Sequence, residues 1–462
     1  MSVEIQKINQ RLEGELIHGD RLYGVPFVLP GDKVGYRIIG RGKRRRIVLE
    51  SIEPVAPEFS RYQRQIPFCD HFTKCGGCLG QYFSIEDQFQ LKAGPYIDLI
   101  KSKFHLNTLS ILPNQDRRYR NRMDFVVEAD TIGLRPIGNY RGFVDIVSCK
   151  IQQEKSDLIL HYIRSLIKQN PELPFHRKTK TGILKYVTIR QGKISGAVIL
   201  TICKDTANEP TLHHFQNKLI ELLKQFEQNH NYQFSLTQCE IGPLSETSAV
   251  EIGQVLYGQS FFEESLGPLY FQVPVDSFFQ PNPVGFYKLF EAAIKEIEKL
   301  SVNSTISTIE SIIDLYCGSA VLSLVFAKLL PSIQIIQGAD FSKSGIELGK
   351  ANIEKFNITN RTISFELQAI DLNRSPIQFQ DSSLVIVDPP RAGLAVGVIE
   401  WLNWVCTSPL LLYISCNPMQ QIKDIDSISN CYQPVFAAVT DPFPQTAHLE
   451  SAVLLQRKAT VE

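Results

Sequence analysis

The sequence predicts an α/β protein whose C-terminal part is a doubly wound, mostly parallel sheet. Three observations predict it. From Ile312 on, short apolar strands alternate with helical segments in a strand–turn–helix repeat. Two of the apolar runs end on Asp388 and Cys416, at the edge where such sheets bind ligands. Ahead of them lie two stretches of different texture: short Gly- and Pro-broken strands over residues 3–55, then a cysteine-bearing α+β segment. At 462 residues the chain has length for two or three units, and the divisions expected are 1–57, 58–270 and 271–462.

Composition narrows the classes. Hydrophobic content of 44% with 21% charged residues excludes a disordered chain. Residues 1–11 are polar and lack the apolar core of a signal peptide, and no apolar run approaches the ~20 residues a membrane helix needs. Both features lead us to expect a cytoplasmic protein with no membrane partner. Ten cysteines in such a chain suit metal or catalytic use more than a disulfide framework. Net charge is zero, yet residues 1–150 hold 23 Lys and Arg against 17 Asp and Glu, or +6. Of the 48 of each sign, 25 against 31 remain, so the rear is −6. The asymmetry suits one basic face on a polyanion, and equally an ordinary solvated surface.

In the front unit, strands are expected at residues 25–29, 33–39 and 46–52, at the spacing of a small OB-like β-barrel. Arg41, Lys43, Arg44, Arg45 and Arg46 cluster at a hairpin that either binds RNA or is a solvated tip. Next, Cys69, Cys75 and Cys78 surround Gly76-Gly77, which let the backbone bend round an inorganic centre. Zinc would take His71 as fourth ligand. An iron–sulfur cluster would take a fourth thiolate, which Cys149 can return from a later strand.

A helix is expected over residues 85–101. An arginine-rich run then leads into a strand with Phe125 and Val127 on one face, where Arg120 and Arg122 either contact RNA phosphate or are solvated. Partner strands are expected at 133–135 and 143–147. Further on, helices near 155–168 and 211–228 alternate with strands near 183–190 and 196–202, and Cys203 and Cys239 read as packing residues.

Residues 284–300 place Phe286, Leu289, Phe290, Ala293, Ile294 and Ile297 at helical spacing. The preceding Phe279-Gln280-Pro281-Asn282-Pro283 is extended, because its prolines forbid helix. Strands at 312–315 and 333–338 then flank a turn at Cys317-Gly318-Ser319 and a helix over 321–330. Backbone near Gly318 can approach a ligand closely, and Asp340, 22 positions on, can accept bonds from ribose hydroxyls. With no Gly-rich phosphate cradle, a nucleoside-type cofactor such as S-adenosylmethionine is favoured over a dinucleotide. Cys416 stands at the mouth of a strand stopped by Asn417-Pro418, and a cysteine taken by itself is more often a small buried packing residue than a nucleophile.

Taken in order, these motifs resemble the RNA 5-methyluridine methyltransferase family, whose members methylate uracil C5 in 23S rRNA and in the tRNA T-loop. The resemblance runs over nearly the whole chain. It implies a Rossmann-like S-adenosylmethionine-dependent methyltransferase domain, a TRAM-like N-terminal barrel and a central iron–sulfur domain. Cys69, Cys75, Cys78 and Cys149 match the family's 4Fe–4S ligands. Arg120-Asn121-Arg122 resembles its RNA-facing strand, joined by Arg44 and Arg45 as expected RNA contacts. Phe279-Gln280-Pro281-Asn282, Asp314-Leu315-Tyr316-Cys317-Gly318, Asp388-Pro389-Pro390-Arg391, Ser415-Cys416-Asn417-Pro418 and His448-Leu449-Glu450 follow in the family's order. By resemblance, Cys416 adds to uracil C6 and Glu450 removes the C5 proton. Gln280, Tyr316, Gly318, Asp340 and Asp388 would line the cofactor, with Asp388 also near the uracil edge. The expected enzyme is a monomer acting on 23S rRNA, with tRNA as the alternative.

The cofactor turn departs from the family's usual Cys-Gly-x-Gly-Asn, reading Cys317-Gly318-Ser319-Ala320-Val321, and Asp340 replaces a longer glutamate. Ala320 adds only a methyl, provided its backbone avoids a conformation reserved for glycine. The departures support a second reading, a catalytically weakened RNA-binding protein on the same scaffold. A third, an adenine or cytosine amino-methyltransferase, calls for an aromatic residue where Arg391 stands.

Overall fold

The structure, a computed structural model, describes the chain except residues 42–44, 114, 140, 177–178, 205–208, 249–252, 303–306, 380–381 and 460–462. Its N-terminal unit holds strands β1 (Ser2–Glu4), β2 (Gly14–His18), β3 (Arg21–Val25), β4 (Lys33–Ile39) and β5 (Arg46–Glu53). Strands β2, β3 and β4 bury Leu16, Val25, Val34 and Tyr36, which meet Val28 and Leu29 in a core completed by Phe72 and Phe83. Among the described residues these strands form two sheets, β1-β4-β5 and the hairpin β2-β3, not one closed barrel. The strand expected at 25–29 ends at Val25 instead. Phe27 takes a left-handed backbone (φ 66°), which stops extended pairing.

Helix α1 (Ile85–Phe104) opens at Ser84, whose hydroxyl accepts the Asp87 amide at 3.0 Å. It is followed by strand β6 (Thr108–Ile111). Strands β7 (Arg122–Glu128), β8 (Thr131–Leu134), β9 (Val144–Asp145), β10 (Leu184–Gln191), β11 (Gly196–Cys203), β12 (Phe234–Ile241) and β13 (Gln254–Tyr257) then build a seven-stranded sheet in the order β13-β12-β11-β10-β7-β8-β9. All of β10 and β11 is buried. Helices α2 (Glu154–Gln169) and α3 (Glu209–His230) cover one face, while the hairpin β14 (Phe261–Leu266)–β15 (Leu269–Pro274) packs on the other.

Helix α4 (Pro283–Val302) starts on Asn282, whose side-chain oxygen accepts the Gly285 amide at 3.1 Å while Pro283 opens the first turn. The doubly wound part follows: β16 (Ser311–Leu315), α5 (Val321–Leu329), β17 (Ile335–Asp340), α6 (Lys343–Thr359), β18 (Ser364–Ala369), β19 (Leu384–Val387), α7 (Val396–Trp404), β20 (Leu410–Ser415), α8 (Pro418–Ser427), β21 (Tyr432–Thr440) and β22 (Glu450–Arg457). The strand order is β18-β17-β16-β19-β20-β22-β21-β6, with a core on each face. Strands β16 to β20 run parallel and β22 antiparallel, and the winding reverses between β16 and β19. Strand β6 pairs in parallel with β21, so residues 85–111, expected with the central segment, extend the C-terminal sheet. No helix among the described residues is long and apolar enough to cross a membrane.

Residues 441–449 form a strap between β21 and β22, and it is tied down along its length. Lys92, on the apolar stripe of α1 beside Phe89, Ala93 and Tyr96, forms a buried ion pair with Asp441. Its ammonium also donates to the carbonyls of Thr446 (3.1 Å) and His448 (3.2 Å). Asn282 donates to Pro442 O (2.6 Å) and Tyr119 to Pro444 O (2.6 Å). Gln88 and Gln445 exchange two bonds, of 2.8 and 3.1 Å. Burial lowers the proton affinity of Lys92 and raises that of Asp441, each partner opposing the other's shift. Lys92→Met keeps the stem but leaves Asp441 and two carbonyls without their donor. The expected loss in urea unfolding is about 3–5 kcal/mol, against less than about 1 kcal/mol for breaking the exposed Lys103–Asp426 pair.

Candidate active site

The C-terminal ends of β16, β19 and β20 and the start of β22 meet at one edge of the large sheet. Ser415 pairs with Ser451, so the next residues outward, Cys416 and Glu450, stand on facing strand ends. Val387 pairs with Leu315 and with Tyr413, which sets Asp388 beside both Tyr316 and the β20 end. The turn after β19 and the start of α8 are tied together where Asn417 donates to Arg391 O at 2.9 Å. Arg391 donates to His448 Nδ1 at 2.8 Å.

The electrostatics follow from this crowding. Burial, with the carboxylates of Glu450 and Asp388, pushes the Cys416 thiol up to about 11, and Arg391 pulls it back through charge and a hydrogen bond. Burial holds Glu450 well above the usual carboxylate range, Asp388 adding to the effect and Arg391 opposing it. Asp388 is pushed up to about 7 by burial and by Asp314. Asp314, wholly enclosed in β16, is likewise pushed up to about 7 by burial; the Ser323 hydroxyl at 2.5 Å opposes this and Asp340 adds to it. His448 is pulled down to about 4 by burial and then by Arg391, Arg120, Lys92 and Arg11. It is therefore neutral and accepts from Arg391.

The turn after β16 is strained. Tyr316 (φ 68°), Gly318 (φ 52°) and Ala320 (φ 58°) are all left-handed. Gly318 donates to Asp340 Oδ2 at 3.0 Å, and a side chain at Gly318 would meet only open space. Asp340 also accepts the Ser342 amide at 2.8 Å, so one carboxylate fixes both turns. The Tyr316 hydroxyl accepts the Ala395 amide at 2.9 Å. Gln280 is brought up by the central unit, where Asn121 donates to Gln280 O at 3.1 Å and to Pro281 O at 2.8 Å.

Residues 255–458 match the family model described as tRNA (Uracil-5-)-methyltransferase. An uncharacterised RNA methyltransferase of Leptospira interrogans is 33% identical over 471 residues, covering 98% of this chain and 96% of its own. The chain belongs to the RNA (uracil-5-)-methyltransferase family. An uncharacterised RNA methyltransferase of Nanoarchaeum equitans is 27% identical over 441 residues, covering 95% of this chain and 90% of its own. The fold is that of Pyrococcus abyssi tRNA (uracil-54, C5)-methyltransferase in complex with S-adenosyl-L-homocysteine, with a TM-score of 0.72, 23% identity and coverage of 98% and 100%.

This RNA (uracil-5-)-methyltransferase is thus an S-adenosylmethionine-dependent enzyme. Its other expected site residues fare unevenly. Arg44 lies outside the described residues, and Arg45 is exposed. Arg122 is held by Asp124 at 3.0 and 3.2 Å, so its guanidinium is engaged within the sheet. Burial would raise the Asp124 carboxyl, but Arg122, Thr188 and Ser248 together hold it below its usual range. Arg120 is half-buried, donates to Arg122 O at 2.9 Å and contributes its charge at His448. Cys203 and Cys239 are buried packing residues.

Cys69, Cys75, Cys78 and Cys149 line one cavity with Phe68, Phe72 and Met123. No preassembled group of three or more metal-ligating side chains occurs among the described residues. His71 Nε2 accepts the Val147 amide at 3.3 Å, which commits that nitrogen away from a zinc site. The sequence reading missed Lys92 and the Arg391–His448 contact. A lysine inside the apolar stripe of α1 was the one available signal for the first.

Ala320 is the glycine-reserved case: its left-handed backbone costs about 1–2 kcal/mol. Ala320→Gly relieves this but loses about 0.8 kcal/mol of methyl burial and gains unfolded-state freedom. We expect a net stability change of less than about 1 kcal/mol. Ala320→Val, a β-branched residue in that region, is expected to cost more than about 2 kcal/mol and to weaken S-adenosylmethionine binding. Calorimetric unfolding and titration check both.

Proposed function

We propose that the enzyme methylates C5 of a uridine in RNA, with Cys416 as nucleophile and Glu450 as base. The observation that carries this reading is a thiol and a buried carboxyl on facing strand ends, with the charges of Arg391 and Asp388 acting on both. Uracil C5 is a poor nucleophile until C6 is attacked, and a thiolate both attacks well and leaves well. The residues fit the cofactor, since Gly318 faces open space and Asp314, Asp340 and Asp388 gather carboxyls that favour a cation. When bound, S-adenosylmethionine supplies the methyl group and a positive sulfonium.

An unpaired or flipped uridine enters the edge beside Arg391. Cys416 Sγ bonds to C6, and the C5–C6 electrons move into an enolate. C5 takes the methyl group, still carrying its proton. Glu450 then removes that proton, the C5=C6 bond re-forms, and the thiolate departs. The high proton affinity of Glu450 suits a group that must hold the proton it takes. Asp388 makes no side-chain hydrogen bond among the described residues and is open to the uracil edge or the cofactor.

The four cysteines fit a 4Fe–4S cluster. They share one cavity, and burial with their neighbours' charge raises Cys75, Cys78 and Cys149, so a cationic centre is what would make four close thiolates tenable. Bound there, the cluster would tie the loop of Cys69–Cys78 to Cys149 ahead of α2. A 23S rRNA target is supported by the N-terminal β-unit with this cysteine set, and a tRNA target by the match to the tRNA-type family model. We take the protein to be a cytoplasmic monomer.

Labelled S-adenosylmethionine and unmodified total RNA test the reaction. We expect label in 5-methyluridine, lost by at least about a thousandfold in Cys416→Ala, and the size class of the labelled RNA names the target. Label in an amino group of adenine or cytosine would refute the reading. Because Cys416 is pushed up to about 11, thiolate is scarce at neutral pH, and kcat/KM should rise about tenfold per unit between about pH 6.5 and 8.5. Arg391→Ala should lower it at every pH, by about ten- to a hundredfold. Purified protein should contain iron and sulfide, both lost in Cys78→Ser, with zinc found instead if the cluster reading is wrong.

A further inference from the structure

We propose that Tyr119 and Gln88 are positioning residues for Glu450, and that through them the cysteine-bearing segment governs the proton-removal step. The inference rests on the reading of Glu450 as base. Glu450 is the first residue of β22, so the strap that precedes it sets where its carboxyl stands. Cys416, in contrast, follows β20, which the sheet holds on both sides.

The strap is gripped from the cysteine side at two consecutive residues. Tyr119, 1% exposed, donates to Pro444 O, and its ring packs with Phe443, Ile151, Cys78 and Cys149. The amides of Leu79 and Gly80, directly after Cys78, donate to Gln445 O at 2.6 and 3.1 Å. Gln445 itself has a left-handed backbone (φ 73°), a conformation a non-glycine residue keeps only when its surroundings impose it. Gln88 imposes it, through one bond to the Gln445 amide and one to its side chain. Toward Cys416, Tyr96 of α1 reaches Gln421 of α8 at 3.0 Å, and Gln421 donates to Tyr413 O of β20 at 2.8 Å, but neither Tyr119 nor the residues after Cys78 bond to that strand end among the described residues.

The consequence is selective. Addition of sulfur to C6 and methylation of C5 rely on Cys416, which the sheet holds, and meet the strap only indirectly, through the Arg391–His448 and Asn282–Pro442 contacts. Removal of the C5 proton by Glu450, which returns the C5–H electron pair to C5=C6 and breaks the C6–S bond, depends on the strap directly. A loosened strap therefore leaves the methylated base covalently attached to Cys416.

Tyr119→Phe keeps the ring and removes the hydroxyl, and Gln88→Met keeps the length and removes both bonds to Gln445, along with the 3.2 Å bond to Phe83 O. Each is mixed with S-adenosylmethionine and RNA, quenched in denaturant, and scored for protein–RNA adduct. For a misplaced base we expect kcat down about tenfold, an adduct fraction raised several-fold over wild type, and an unchanged KM for S-adenosylmethionine. Wild-type kcat per folded molecule in both variants, or a lowered kcat without extra adduct, overturns the proposal. RNA containing 5-fluorouridine separates this from the underlying reading, since fluorine at C5 cannot leave as a cation. Wild-type enzyme trapped on that RNA upholds Cys416 as nucleophile whatever the variants do. No trapping overturns that reading and the strap proposal with it.

Discussion

The buried pair of Lys92 and Asp441 is the constraint on which the catalytic edge depends. Asp441 opens the strap directly after β21 and Lys92 comes from a helix some 350 residues earlier in the chain, so the contact exists only when α1 lies on the finished sheet. An ion pair in a site this enclosed gains little net stability, because desolvation consumes most of the attraction. What it does is fix geometry. One ammonium holds a carboxylate and two carbonyls of the strap, and the strap delivers Glu450.

The same low-dielectric edge sets the chemistry. Burial raises the proton affinity of Asp314, Asp388, Glu450 and the Cys416 thiol, neighbouring carboxyls add to it, and Arg391 opposes it at Cys416 and Glu450. Such a site is reluctant to ionise when empty and is relieved by a cation, which matches chemistry that uses a sulfonium and a thiolate together. The left-handed turn at residues 316–320 is the backbone counterpart. It carries strain at Tyr316 and Ala320, and in return points the Gly318 amide at Asp340 and opens space beside Gly318.

The central unit reaches the edge through backbone clamps more than through its arginines. Asn121 grips Gln280 and Pro281, and Arg190, fully buried, donates to Val275 O at 2.9 Å and to Ser277 O at 2.6 Å. The segment of residues 275–281 is thus held by β10 of the central sheet and by Asn121 just ahead of β7. Of the arginines beside Asn121, Arg122 is spent on Asp124 within the sheet.

By itself the sequence determined the elements whose signals are local. Apolar strands with a 3.6-period helix after each revealed the doubly wound sheet, Asn282-Pro283 marked the start of α4, and strand ends at Asp388 and Cys416 marked the edge. It also assembled the motif order from which the family was read. Tertiary structure decided what depends on contacts distant in sequence. These are the transfer of β6 to the far edge of the large sheet, the hold of Asn121 on Gln280, the contact of Arg391 with His448 and the grip of Lys92 and Tyr119 on the strap. The physical reason is common to all four. A hydrophobic period or a proline acts on its own neighbours, whereas an edge strand, an amide, a guanidinium or an ammonium takes its meaning from groups dozens to hundreds of residues away that only packing brings near.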